Sequence, residues 1–464
     1  MDIRHVVVLM LENRSFDSML GKLRAPGPGF DGLPDGWANT WHDPPNPAQT
    51  VPAWNDPGMT PATATIPDPD PGELFADIKV QTHGLFLDSP MDGFVDSYMR
   101  QPPAAKPYDK RAPMHYFTPA QVPALSRLAT AFGVSDRWFA SAPCQTWPNR
   151  FFTHCGTAGG SVNNAPARLP FAMPTVFNRL SEAGRDWRLY FHDIPQAITL
   201  SQLWFDVPLH FRRFDDFAAD AAAGTLAAYS FIEPRYFTDA VAGRLPNDQH
   251  PPHNVTDGEH LIATVYNALR AGPAWHRTLL IVTYDEHGGC ADHVPPPDAT
   301  PPGGPYPDGF RFDRFGVRVP AVIVSPYVRP GSVLRAPGPV PFDHTTIIAT
   351  LRALWNIGPL TARDAAAPHL LGLLTDQPDN DGPARIDALP LAPPAPIAVA
   401  AVKALPANDL QASLGAAAAH LPTLGADPAR HAARVASGPI PVQAGLAATA
   451  EFVAAQMKAF LGEA

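Results

Sequence analysis

After His5, residues 6–11 are an unbroken apolar run that stops abruptly at Glu12-Asn13, and a short helical segment follows up to Gly21. A continuous apolar run of this length reads as a strand buried on both faces, the habit of a parallel sheet. Thr278–Tyr284 repeats the pattern far along the chain and ends in Asp285-Glu286-His287-Gly288-Gly289. Further segments at 134–139, 187–191, 228–232 and 317–324 read as strands. Between them, helices are expected at 119–132, from the capping box Thr256-Asp-Gly-Glu259 to Ala271, and from His344 to Trp355 behind an Asp343 cap. Pro148 suits the first turn of another helix, which places Thr146 at or just before its N-terminus. Strands alternating with helices predict an α/β fold: a mainly parallel sheet covered on both faces, a three-layer αβα sandwich.

The 57 prolines cluster outside these elements, in 24–71, 102–113, 295–307 and 390–396. The first three stretches are expected as long ordered loops at a pocket rim, and the last as a linker. Beyond it the sequence is rich in Ala and Leu at helical spacing, with Gly438-Pro-Ile-Pro441 before a final helix. The expected division is a main domain over 1–390 and a helical extension over 391–464, read as a packing or assembly element. At 45% hydrophobic residues the chain has the composition of a soluble globular protein, and no apolar stretch reaches membrane-span length. A net charge of -10 argues against a nucleic-acid binder. Cys144, Cys155 and Cys290 form no metal motif and no disulfide framework, so buried thiols are expected. No export signal precedes the first strand, and a cytoplasmic location is the corresponding expectation.

Ligands gather beyond the carboxyl ends of strands in open parallel sheets. Two such ends carry paired oxygen ligands here, Glu12-Asn13 and Asp285-Glu286. Together they form an all-oxygen cluster that repels itself unless one divalent cation neutralises it. Such ligands favour Mg, Mn or Ca, with zinc also compatible. The competing reading of Glu12-Asn13 is a helix cap. Thr146 is a candidate nucleophile beside a helix N-terminus, where anions are favoured, and the competing reading is again a cap. Asn149 and Arg150 follow it closely enough to donate to a phosphate. His250, His253, His287 and His344 stand in loops near strand ends, as proton donors or phosphate contacts. His154 is read as structural.

Taken in order, these segments resemble a bacterial phosphoesterase family, that of the phosphatidylcholine-type phospholipases C and the respiratory-burst-inhibiting acid phosphatases. Glu-Asn-Arg-Ser-Phe-Asp at 12–17, Met91-Asp-Gly-Phe94, Thr146-Trp-Pro-Asn-Arg150, Asn247-Asp-Gln-His-Pro-Pro252, Thr283-Tyr-Asp-Glu-His-Gly-Gly289, Asp292-His-Val-Pro-Pro296 and Phe342-Asp-His-Thr345 carry the resemblance, from about residue 4 to 355. It implies an alkaline-phosphatase/sulfatase-like sandwich and hydrolysis of phosphate esters, with a small phosphate ester or phospholipid headgroup as substrate. It also implies Thr146 as nucleophile, Glu12, Asn13, Asp285 and Glu286 around the metal, and His250 and His344 against phosphate or leaving group, with His192 a weaker candidate. The chain departs from the family at Trp147 and Cys290. It also departs at Asp68-Pro-Asp-Pro-Gly72, where an upstream histidine is usual, which leaves that role unfilled or to His83. Threonine at 146 inclines the reading to phospholipase C over acid phosphatase. It excludes a sulfatase, because threonine cannot mature to formylglycine. The alternative of another class is an inactive scaffold that binds phosphate or metal.

Overall fold

The computed structural model describes residues 1–463 apart from 105, 205–206, 240–241, 392–406 and 423–444. Most of the expected 390–396 linker, the 438–441 break and His431 lie outside these.

Twelve strands occur among the described residues: β1 (His5–Leu11), β2 (Ala38–Trp41), β3 (Gln49–Pro52), β4 (Gly133–Ser135), β5 (Trp138–Phe139), β6 (Trp187–Phe191), β7 (Phe211–Arg213), β8 (Tyr229–Glu233), β9 (Thr278–Tyr284), β10 (Ala321–Val324), β11 (Ser332–Val333) and β12 (Phe342–Asp343). Eight of them form one sheet in the order β11-β4-β10-β9-β1-β8-β6-β7. Every strand in it runs the same way except β10, which is antiparallel to β4 and β9. The central strands are buried at successive positions, 6–11 in β1 and all of β9. Successive side chains point to opposite faces, so both faces are covered. One set of helices, Pro123–Ala131, Asp215–Ala223 and Val255–Ala271, packs together. Thr146–Cys155, Val176–Glu182 and Thr345–Trp355 form the other. The expected mainly parallel α/β sheet is therefore present.

Local departures have local causes. The expected 134–139 strand splits in two. Its first half joins the main sheet, and Trp138–Phe139 pairs instead with Phe342–Asp343. The break falls at Asp136, whose buried carboxylate accepts from Asp31 N and pairs with Arg335. The 317–324 run becomes a sheet strand only after Pro320, and its first part pairs with residues 138–140. Glu259 does not close a capping box: Asn254 caps its helix, accepting from Thr256 N at 2.9 Å. The Glu259 carboxylate instead accepts from the N–H groups of Ala124 and Leu125, at the start of a neighbouring helix.

Two helices follow the undescribed stretch, Asp409–Ala419 and Leu446–Leu461. They pack on each other, and Leu410, Leu414, Val453, Met457 and Phe460 belong to the same apolar cluster as the sheet. Among the described residues, no helix is long and apolar enough to cross a membrane.

Candidate active site

β1 and β9 are parallel neighbours in register from His5↔Thr278 to Leu11↔Tyr284. Glu12 and Asp285 therefore leave the sheet at the same level, and the two acidic strand ends meet as the sequence predicts. The Asp285 carboxylate accepts from Asn13 N at 3.1 Å. Asn13 is not a cap. Ser15 caps the following helix, accepting from Ser18 N at 3.1 Å. Asn13 instead turns the chain sharply at φ 51°, a region Asn tolerates better than most residues. Gly288, at φ +60°, lies across from it. A Cβ there would sit 2.2 Å from the Asn13 carbonyl oxygen, so glycine is what lets the two loops meet.

Thr146 is the first residue of the Thr146–Cys155 helix, behind Gln145, and is fully buried. Its Oγ1 lies 3.3 Å from Glu12 Oε2 and 3.4 Å from Asn13 Oδ1. One turn further, Arg150 donates to Glu12 Oε1 at 2.6 Å, to Glu233 Oε2 at 3.1 Å and to the Met10 carbonyl at 3.1 Å, with Nε 3.5 Å from Asp285 Oδ2. Gln196 adds a donor to Glu12 Oε1 at 2.6 Å. Asn13 Nδ2 donates to Glu73 Oε1 at 2.7 Å, and His250 Nε2 stands 3.3 Å from the same oxygen.

The charge does not balance. Glu12, Glu73, Glu233, Asp285 and Glu286 are all buried. Among the described residues, Arg150 is the one lysine or arginine paired with any of them. Burial pushes the Glu12 carboxyl well above the usual carboxylate range, against the pull of Arg150. Burial, joined by the charges of Glu73 and Asp285, does the same to Glu286. Asp285 Oδ2 and Glu286 Oε1 are buried without a hydrogen-bond partner. Orphaned carboxylate oxygens beside an amide and a hydroxyl oxygen fit a hard divalent cation.

Other expected site residues are placed differently. The Asn149 side chain accepts from Ala142 N and donates to the carbonyls of Ala142, Cys144 and Gln145. It shapes the loop before Thr146 and presents nothing to a phosphate. Arg150 holds carboxylates together, so its expected phosphate contact is not made available here. His344 Nε2 donates to the Asp285 carbonyl at 2.6 Å while Trp138 donates to Nδ1 at 3.3 Å. Both ring nitrogens are engaged, which makes it a brace for the Asp285 loop. His287 sits between Glu286 and Gln81, and burial lowers its pKa to about 3. His192 contacts the Glu233 carbonyl and stacks on Phe214, with its pKa lowered to about 3 chiefly by burial. His83 is occupied by Thr82 and Arg314. His250 alone among these histidines has a buried ring nitrogen, Nε2, with no hydrogen-bond partner on the Asn13 side of the cluster.

The sequence reading missed Glu233, Gln196, Asp70 and Glu73. Glu233 was accessible, because it ends β8, a strand expected at 228–232 and paired with β1. The rule that selected Glu12 and Asp285 applies to it equally. Glu73 lies directly after Asp68-Pro-Asp-Pro-Gly72, the departing segment.

The Phosphoesterase family model matches residues 3–358. Non-specific phospholipase C6 of Arabidopsis thaliana is 39% identical over 387 residues, covering 79% of this chain and 71% of that protein. Phospholipase C A of Mycobacterium tuberculosis is 30% identical over 414 residues, covering 77% of this chain and 73% of that protein. Among solved structures, a 2-O GAG sulfatase, BT1596, aligns over 56% of this chain and 70% of its own at 13% identity, with a TM-score of 0.35. With the family match spanning both acidic strand ends, Thr146 and the histidine loops, the chain belongs to the Phosphoesterase family and is a hydrolase of phosphoric esters.

Proposed function

We propose that this protein is a metal-dependent phospholipase C that cleaves the phosphate ester of a phospholipid headgroup through a phosphorylated Thr146. The observation that carries the reading is the position of Thr146 Oγ1, within 3.4 Å of both Glu12 and Asn13 at the meeting point of two acidic strand ends. The names of the plant and mycobacterial relatives support the phospholipid substrate. Glu12, Asn13, Asp285 and Glu286 would hold the divalent cation, with Thr146 beside it. When bound, such a cation supplies Lewis-acid stabilisation of phosphate charge and lowers the pKa of a coordinated hydroxyl.

The residues of the chain do the rest. Thr146 Oγ1 gives its proton to Glu12 Oε2, 3.3 Å away, and attacks phosphorus, forming the O–P bond as the bond to the alcohol breaks. Arg150, fixed by Glu12, Glu233 and the Met10 carbonyl, keeps the carboxylates from drifting apart. The Asp70–Glu73–His250 corner lies across Asn13 from Thr146, and His250 there gives its proton to the departing alcohol oxygen. Water then cleaves the phosphothreonine and releases the phosphorylated headgroup.

The test compares p-nitrophenyl phosphorylcholine with p-nitrophenyl phosphate, with and without chelator, in wild type and Thr146→Ala. The diester analogue should turn over faster, chelator should stop it, and the variant should be inactive. A variant with full activity would remove Thr146 from the mechanism. Faster turnover of the monoester would make the enzyme an acid phosphatase.

A further inference from the structure

Asp70, Glu73 and His250 come from two distant loops, and their ligand atoms lie within 4.8 Å of one another. His250 is 1% exposed. Its Nδ1 is 2.6 Å from the Pro251 carbonyl oxygen, a group with no proton to give, so Nδ1 carries the hydrogen and donates it. In the neutral ring, Nε2 then holds a lone pair. That lone pair is directed into the cluster, 3.3 Å from Glu73 Oε1, and has no hydrogen-bond partner. An Nδ1–H bonded to a backbone carbonyl, with Nε2 free, is the arrangement that orients metal-ligating histidines. Asp70 Oδ1 is a second orphaned atom of the same cluster. Apart from Asn13 Nδ2, which donates to Glu73, these atoms are met by a proton on His250: burial opposes that proton, but Asp70 and Glu73 outweigh it and raise the His250 pKa well above its ordinary value, so the corner calls for positive charge, and in the neutral ring a bound cation takes the proton's place.

We propose that Asp70, Glu73 and His250 form a second divalent-cation position, separated from the first by the Asn13 side chain. Asn13 faces both: its Oδ1 is 3.4 Å from Thr146 Oγ1, and its Nδ2 donates to Glu73 at 2.7 Å. The donor sets differ in kind. The Glu12–Asn13–Asp285–Glu286 cluster is all oxygen, whereas the second has an imidazole nitrogen and suits Mn2+ or Zn2+ better than Mg2+ or Ca2+. The second position is also nearer solvent, since the Asp70 side chain is 30% exposed. A cation there would supply what a proton on His250 otherwise supplies, positive charge at the departing alcohol oxygen.

The inference rests on the first cluster holding a metal, and the experiment separates the two. Chelator-stripped full-length protein is titrated with Mn2+ by calorimetry, and bound manganese is read by electron paramagnetic resonance. Wild type should bind two Mn2+ per chain with spin–spin broadening. Glu73→Gln keeps the oxygen that accepts from Asn13. It should fold normally, bind one Mn2+ and give an unbroadened spectrum, and His250→Gln should behave alike. Asp285→Asn should remove the other ion. One Mn2+ in wild type, lost in Asp285→Asn and unchanged in Glu73→Gln, would overturn the second position and leave the first standing. Two ions unaffected by Glu73→Gln would also overturn it. No binding in wild type would overturn both.

Discussion

Two buried polar clusters are built on the same pair of loops, and they differ in how their charge is compensated. Five residues beyond Glu12 stands Asp17, and seven beyond Asp285 stands Asp292. These two meet around Arg318, whose Nη2 is 3.0 Å from Asp17 and whose Nε is 2.9 Å from Asp292. His293 bridges Asp17 at 2.6 Å and Asp31 at 3.4 Å, while Arg137 and Arg335 take Asp31 and Asp136. Each carboxylate there has a cation, and none of these aspartates has an orphaned oxygen. Asp17, Asp292 and His293 are spaced as a metal site would be, yet a guanidinium already fills that role. Around Thr146 the carboxylates outnumber their cations, and Asp285, Glu286 and Asp70 each keep an unsatisfied oxygen. A balanced network fastens loops, and an unbalanced one is the arrangement that a bound cation would complete.

Substitutions in matching positions should pull the clusters apart. The largest effect belongs to Thr146→Ala, which should lower turnover about a thousandfold or more while leaving circular dichroism and melting unchanged. Next comes Arg318→Met. It strands Asp17 and Asp292 without their guanidinium and should cost about 3–5 kcal/mol in urea unfolding, with the expressed enzyme still binding metal. A carboxylate-to-amide pair gives opposite signs. Asp292→Asn should destabilise, because Arg318 loses a partner. Asp285→Asn keeps the oxygen that accepts from Asn13 and removes one of the several carboxylate charges that share Arg150, so in chelated protein it should stabilise by about 1 kcal/mol while abolishing activity.

The last effect is a pH dependence of the balanced cluster. Burial works against charging His293, but Asp17 and Asp31 outweigh it and raise its pKa from 6.5 to about 9. The fold therefore holds the His293 proton more tightly than the unfolded chain does. That stabilisation is complete below pH 6.5 and is lost as the pH rises through about 9. Stability curves of His293→Gln and wild type should converge at the alkaline end and separate below it, with Arg318 charged throughout.

Much of this contrast was legible in the sequence, and what was missed has physical reasons. An apolar run ending in a carboxylate marks a strand terminus, so Glu12 and Asp285 were found, and their adjacency follows from β1 and β9 pairing. Asp70 and Glu73 belong to a proline-rich segment without periodicity, and only the tertiary fold brings them to His250. Motif resemblance set His344 against phosphate or leaving group, but Trp138 and the Asp285 carbonyl, which use up its two nitrogens, are distant in sequence. Glu259 matched a capping box by spacing, yet its carboxylate found better donors on a neighbouring helix. Sequence spacing specifies which side chains reach a region, and long-range packing decides which of their atoms stay free.

The central claim is that the carboxylates around Thr146 are folded at a cost that a bound cation offsets. The direct measurement is thermal unfolding of chelator-stripped wild type against rising free Mn2+. The melting temperature should climb with metal concentration, as ligand linkage requires, and Asp285→Asn should start higher and respond less. A wild-type melting temperature indifferent to Mn2+, Mg2+, Ca2+ and Zn2+ alike would contradict the account.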